Sequence, residues 1–132
     1  MDNKIKILIV DDDPNALSIL ESFLYKNGFR VLRAHGGREA LVMMHGATID
    51  LVLLDLMMPG MSGFEVVEAM RNEEKLREIP IIILTAKDLT AEERERLRMH
   101  VRALMQKATY TTEDLIEEIR RIHPKTGALS NS

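Results

Sequence analysis

Four places in this 132-residue chain put a reactive or ionisable side chain directly after a short apolar run. Asp11, Asp12 and Asp13 follow Ile5–Val10, and Asp55 follows Ile49–Leu54. Thr85 follows the run that starts at Pro80, with Ala86 and Lys87 behind it, and Lys107 follows Val101–Gln106. Carboxylates drawn together repel unless they are protonated or neutralised. A bound cation is the usual remedy, and an all-oxygen set with few protein ligands favours Mg2+ or Mn2+ over Ca2+. No histidine or cysteine beside the acidic run suggests zinc. Such a cation also neutralises an incoming phosphoryl oxygen. A lysine neutralises a second oxygen, and a threonine hydroxyl hydrogen-bonds a third. The remaining carboxylate can then act as a nucleophile and give an acyl phosphate.

These residues meet only if the apolar runs are strands of one sheet. Ile5–Val10 and Ile49–Leu54 are dense enough to be buried on both faces, as parallel strands are. Between the runs lie helical patterns. Asp13–Pro14 reads as an N-cap with proline in the first turn, followed by Leu17, Leu20 and Leu24 with Phe23, and Asn27–Gly28 as the stop. Phe29–Ala34 is a second strand. Arg38–His45 is a short helix with Ala40, Leu41 and Met44 facing in. Pro59–Gly60 marks a turn. The helix after Gly63 places Phe64, Val67 and Met70 on one side. Pro80–Leu84 is the fourth strand, with proline tolerated at its start.

Thr90 and Glu93 form a capping box for a charged fourth helix anchored by Leu97, and its weak apolar stripe predicts loose docking. Val101–Gln106 is the fifth strand. Thr111 or Thr112 opens a last helix with Leu115, Ile119 and Ile122 at helical spacing. Five alternating βα units predict one doubly wound α/β domain, a five-stranded parallel sheet with helices on both faces. The carboxyl ends of its strands form one rim, where the acidic, hydroxyl and lysine side chains converge and where strand 2, at the edge, brings only Ala34 and His35.

Composition narrows the function classes. The net charge of −3 and pI near 5.8 make no electrostatic case for nucleic-acid binding, and with aromatics at 4% a base-stacking platform is not expected either. No apolar run reaches the ~18–20 residues a membrane helix needs. The absence of cysteine removes disulfides and thiolate metal sites, and fits a cytoplasmic location. The nine methionines read as adaptable core filler and the four histidines as scattered structural or exposed residues.

The segments "ILIVDDDP", "VLLDLMMPGMSGFEV", "IIILTAKD" and "MQK" resemble, in order and spacing, the receiver domain of response regulators. The likeness runs from about Lys4 to Ile122. It implies a flavodoxin-like (βα)5 fold with strand order 2-1-3-4-5, a receiver domain over residues 1–122, and a polar tail or linker start over 123–132. It implies Asp55 as phosphoacceptor and Asp12 as a direct Mg2+ ligand, with Asp11 as the other acidic-pocket member and Asp55 itself completing the carboxylates. The backbone carbonyl of Met57 would supply the protein's remaining metal ligand, with Mn2+ able to replace Mg2+. Thr85 would be the switch hydroxyl, Lys107 would pair with the phosphoryl group, and Met57 and Lys87 would tune its lifetime. The donor would be a histidine kinase or histidine phosphotransfer protein, in a cytoplasmic phosphorelay, with no nucleic acid or membrane bound by this domain. No sequence feature decides whether it dimerises.

The chain also departs from that pattern. Ala108 follows Lys107 where proline is usual, which predicts a trans bond there. Leu104 stands where an aromatic often couples to the threonine, and His100 or Met99 occupies the region of a common glycine. The expectation is intact phosphoryl chemistry with unusual output. Three other readings compete: a pseudo-receiver acting as a protein-interaction module, a haloacid-dehalogenase-type phosphatase suggested by Asp11-Asp12-Asp13, and a flavin-binding flavodoxin. Pro14 and the lack of a cap insertion count against the phosphatase. An acidic rim without a Ser/Thr/Gly phosphate loop counts against the flavodoxin.

Overall fold

The computed structural model describes residues 4–123. Most of the expected tail, 124–132, therefore lies outside the described residues, as do residues 1–3 of the expected domain. The elements alternate as β1 (Lys6–Val10), α1 (Pro14–Lys26), β2 (Arg30–Ala34), α2 (Gly37–Gly46) and β3 (Leu51–Leu54). They continue as α3 (Gly63–Arg71), β4 (Ile81–Thr85), α4 (Ala91–Arg98), β5 (Ala103–Gln106) and α5 (Thr112–Ile122). All strand pairs are parallel, in the order β2-β1-β3-β4-β5. This is the expected doubly wound, flavodoxin-like sheet, whose winding reverses between β1 and β3.

Two apolar layers sandwich the sheet. Leu8, Val10, Val52, Leu54, Ile81 and Ile83 point into one layer with α2, α3 and α4. Ile7, Ile9, Leu51, Leu53, Ile82 and Leu84 point into the other with α1 and α5. Alternate residues of one run serve opposite faces, which is why the runs for β1, β3 and β4 are continuously apolar. β5 closes one edge, and each of its four residues is only half-buried.

The helix starts follow the expected caps. Asp13 accepts from the Asn15 N–H at 3.0 Å ahead of Pro14. Capping boxes open α4 at Thr90/Glu93 and α5 at Thr111/Asp114, and a third, Ser62/Glu65, opens α3. Gly28 and Gly60 take positive φ at the two turns marked by Asn27–Gly28 and Pro59–Gly60, a conformation that glycine adopts without a Cβ clash. No cis peptide bond occurs among the described residues, so Lys107–Ala108 is trans as expected.

The expected inward faces of α2 and α3 form, with two residues buried less deeply than the rest. On α3, Val67 and Met70 are buried, Phe64 packs half-buried against the same layer with Arg96 over its ring at 5.4 Å, and Val66 joins them in the core. On α2, Ala40 and Met44 are buried together with Gly37, and Leu41 packs half-covered against the same layer. The segment 72–79, with no element assigned from sequence, buries Leu76 in the same layer. In α4, Leu97 is the one buried residue.

Candidate phosphoacceptor site

The rim at the carboxyl ends of β1, β3, β4 and β5 holds the candidate site. Asp11 is the first residue past β1 and is 3% exposed, and its backbone N–H donates to the Ala34 carbonyl at the end of β2. One of its carboxylate oxygens accepts from the Asp13 N–H at 3.0 Å, tying the acidic run to the start of α1. Asp55 is the first residue past β3 and is 6% exposed, and its N–H donates to the Val10 carbonyl. Asp55 Oδ1 accepts from the Met57 N–H at 3.2 Å. Asp12 is exposed above them. Carboxylate oxygens of Asp11, Asp12 and Asp55 lie within 4.8 Å of one another. Asp13, by contrast, is spent as the α1 cap.

Lys107 spans the two buried carboxylates. Its Nζ lies 2.6 Å from Asp11 Oδ2 and 3.3 Å from Asp55 Oδ2. Burial alone would push the ammonium down, but hydrogen bonding to Asp11 and the charges of Asp55 and Asp11 outweigh it and raise its pKa above the ordinary 10.5. Burial in turn pushes the nearby Tyr110 hydroxyl up, against the charge of Lys107. Lys107 is held on its backbone as well, since its N–H donates to the Thr85 carbonyl at 2.8 Å.

Thr85 is fully buried at the end of β4, and its hydroxyl oxygen accepts from the Lys87 N–H at 3.2 Å. The Lys87 carbonyl accepts from the Gln106 carboxamide at 3.2 Å, and Lys87 Nζ lies 3.5 Å from Glu93 on α4. Thr85, β5 and α4 thus share Lys87 as a common neighbour. Met57 is 55% exposed beside Asp55.

Asp11, Asp12, Asp55 and Lys107 are brought together. Thr85 stands on the same rim, and Met57 touches Asp55 through its N–H. Two residues matter here that the sequence reading did not single out. Gln106 stands inside the "MQK" segment with no role given to it, and its contact with Lys87 appears only once β4 and β5 are paired. Gly63 lies against the backbone of Asp55 and Leu56, and its N–H donates to the Leu56 carbonyl at 3.1 Å. In the sequence it was legible only as the residue after which α3 starts, inside the segment that carries Asp55, and not as a packing constraint.

The donor set fits a hard divalent cation. Three carboxylates face a single ammonium, so the site carries excess negative charge among oxygen ligands. The outward exposure of Asp12 leaves room for water in a coordination shell, as Mg2+ requires.

Comparison with known proteins agrees. The family model described as "Response regulator receiver domain" matches residues 7–120. The response regulator GtcR of Aneurinibacillus migulanus is 38% identical over 82 residues, covering 62% of this chain but only 33% of GtcR. The chain thus spans about a third of that relative's length. Protein PilH of Pseudomonas aeruginosa is 37% identical over 83 residues, covering 63% of this chain and 69% of PilH. The crystal structure of the response regulator TrrA from Thermotoga maritima, in complex with Mg2+-BeF, superposes with a TM-score of 0.76 at 33% identity. That match covers 89% of this chain and 97% of TrrA.

Proposed function

Because this chain belongs to the response regulator receiver domain family, we propose that it is a cytoplasmic phosphoacceptor switch in a phosphorelay, with Asp55 as the acceptor. The observation that carries this reading is the buried Asp11–Lys107–Asp55 arrangement with Asp12 beside it. The donor is a histidine kinase or histidine phosphotransfer protein. Asp55 Oδ forms the new P–O bond as the bond from phosphorus to the donor imidazole nitrogen breaks, and the imidazole leaves as the neutral ring after taking a proton from solvent. Asp11, Asp12, Asp55 and the Met57 carbonyl would hold Mg2+, which when bound supplies charge neutralisation for the phosphoryl oxygens.

The chain's own residues do the rest. Lys107 Nζ, already against Asp55, exchanges a carboxylate contact for a phosphoryl oxygen. The Thr85 hydroxyl turns from the Lys87 N–H toward the phosphoryl group, which shifts a two-state equilibrium of the β4–α4 loop. Such a domain turns over no external metabolite. It changes the state of a partner or an attached domain.

Acetyl phosphate with Mg2+, read by intact mass, tests this. A phosphoryl adduct on the wild type that needs Mg2+ and disappears in Asp55→Asn is the expected result. A wild type that stays unmodified under conditions that label a control receiver would overturn the reading.

A further inference from the structure

The opposite end of the strands carries a concentration of charge that phosphoryl chemistry does not use. Arg71 at the end of α3, Arg77 in the α3–β4 connection, Arg98 at the end of α4 and Arg102 before β5 line one hollow of about 600 Å3, with Glu78 the one carboxylate among its walls. The hollow sits at the amino ends of β4 and β5. The length of β4, roughly 15 Å at ~3.3 Å per residue, separates it from Thr85.

Arg71 builds the hollow. Its guanidinium donates to the His100 carbonyl from Nε at 3.0 Å and again from Nη2. Its Nη1 donates to the Arg77 carbonyl at 2.6 Å and the Ile79 carbonyl at 3.3 Å. One side chain therefore fastens the α3–β4 connection to the α4–β5 connection and fixes both rims. Burial pushes the Arg71 guanidinium down, Glu78 opposes this, and the charge of Arg102 pushes it down further. Arg71 is used up by these carbonyls, but Arg77 and Arg102 are exposed and form no ion pair among the described residues. Arg98 has only a loose, solvent-facing contact with Glu95 at 3.6 Å. Like charges held together without a partner are costly, and a bound anion removes that cost.

The shape narrows the ligand. A second hollow of about 300 Å3 shares Arg98 and Arg102 and runs on along β5 past Arg94 and Leu104. Apolar surface lies beside the arginines at Ile79, Val101 and Met99, the last 83% exposed. An elongated track with paired guanidinium groups and apolar contacts suits a short chain better than a single inorganic anion. The net charge of the whole chain is −3, so the surface away from this basic cluster is more acidic still and repels an extended polyanion such as duplex DNA.

We propose that the hollow bounded by Arg77, Arg98, Met99 and Arg102 is a docking site for an acidic peptide segment of a partner protein, one carrying clustered Asp or Glu with an apolar side chain. The site is independent of the phosphoacceptor reading and does not cover Asp55.

The test is fluorescence anisotropy with a labelled short peptide of Glu, Asp and Leu, against a Gln/Leu peptide of equal length, inorganic polyphosphate and duplex DNA. Saturable binding of the acidic peptide that weakens with salt, and is at least about tenfold weaker in the Arg77→Ala/Arg102→Ala double variant, is expected. Asp55→Asn should bind as the wild type does. Amide shifts on wild-type protein should concentrate at 77–80 and 98–104, which keeps the test meaningful should the double variant be unstable. Equal binding by the variant, equal binding of the Gln/Leu peptide, or shifts elsewhere would overturn the site. Tighter binding of polyphosphate or DNA than of the peptide would overturn the choice of ligand.

Discussion

The Gln106 carboxamide donates to the Lys87 carbonyl at 3.2 Å, joining β5 to the loop that follows Thr85. The Lys87 N–H donates to Thr85 Oγ1, so the two bonds meet on one residue. This polar contact is a direct link between β5, where Leu104 is only half-buried, and the loop after Thr85. Gln106→Leu removes the donor and leaves a partly buried carbonyl unsatisfied, at a cost of about 1 kcal/mol. The urea midpoint should fall accordingly, and amide exchange should quicken in residues 86–89. Unchanged exchange there would show that the contact does not restrain the loop.

Lys107 neutralises two buried carboxylates at once. Removing it with Lys107→Ala leaves Asp11 and Asp55 facing each other. Discounted for the partial exposure of the lysine, the loss is about 1–2 kcal/mol in metal-free buffer. Millimolar Mg2+ should restore part of that loss, because a cation bound only to the folded state stabilises it. Denaturation with and without Mg2+ measures both terms. A loss of stability that Mg2+ leaves unchanged would contradict the shared-charge account.

Gly63 is a steric requirement of the loop that carries Asp55. A Cβ there would overlap the Asp55 carbonyl oxygen and stand 2.6 Å from Leu56 Cα, both backbone atoms that cannot move aside alone. Gly63→Ala should therefore cost about 3 kcal/mol or more and displace Asp55. At Gly37 the added Cβ meets only the Val66 and Met61 side chains, at 2.7 and 2.9 Å. Gly37→Ala should be milder, about 1 kcal/mol, after those side chains shift. Thermal unfolding of the two variants compares them directly, and equal losses would refute the distinction between backbone and side-chain clashes.

Glu93 closes the capping box of α4. The Thr90 N–H holds its carboxyl below the ordinary 4.5, opposed by a small burial effect and assisted by Lys87. A depressed folded-state value means the stabilisation is present above about pH 4.5 and is lost as pH falls through the depressed value. Acidification should thus fray the start of α4, and Glu93→Gln, which removes the titrating carboxyl, should abolish the effect. Amide exchange of residues 90–94 between pH 6 and pH 3 reads it, corrected for intrinsic rates. Protection there that does not change with pH would be the contrary result.

Met57 is exposed next to Asp55, with its N–H on the Asp55 carboxylate. If Asp55 is phosphorylated as proposed, this side chain controls how water reaches the acyl phosphate. Met57→Gln should change the dephosphorylation rate severalfold without preventing Mg2+ binding, since only a backbone atom of Met57 is assigned to the metal. Decay of the labelled adduct follows the rate, and an unaltered rate would exclude Met57 from water access.

Much of this protein was legible in the sequence by itself, because the determining interactions are local. Apolar runs ending at Asp11 and Asp55 announced strands buried on both faces, the runs before Thr85 and Lys107 announced two more strands, and Asp13–Pro14, Thr90/Glu93 and Asn27–Gly28 announced where helices begin and stop. A parallel sheet then places every strand's carboxyl end on one rim, so the convergence of the acidic residues and Lys107 followed from topology alone.

What the tertiary structure decided depends on distances between residues far apart in the chain. The Lys107 bridge to Asp11 spans 96 positions, and its division between two carboxylates has no trace in residue order. Val66 joins the half-buried Phe64 in the core layer and lies against Gly37 of α2, a contact between helices that residue order does not show. Arg71, Arg77, Arg98 and Arg102 vanish into an acidic average when counted along the chain. They become one basic surface only because the β3–β4 and β4–β5 crossovers return to the same end of the strands, where Arg71 locks the two connections together.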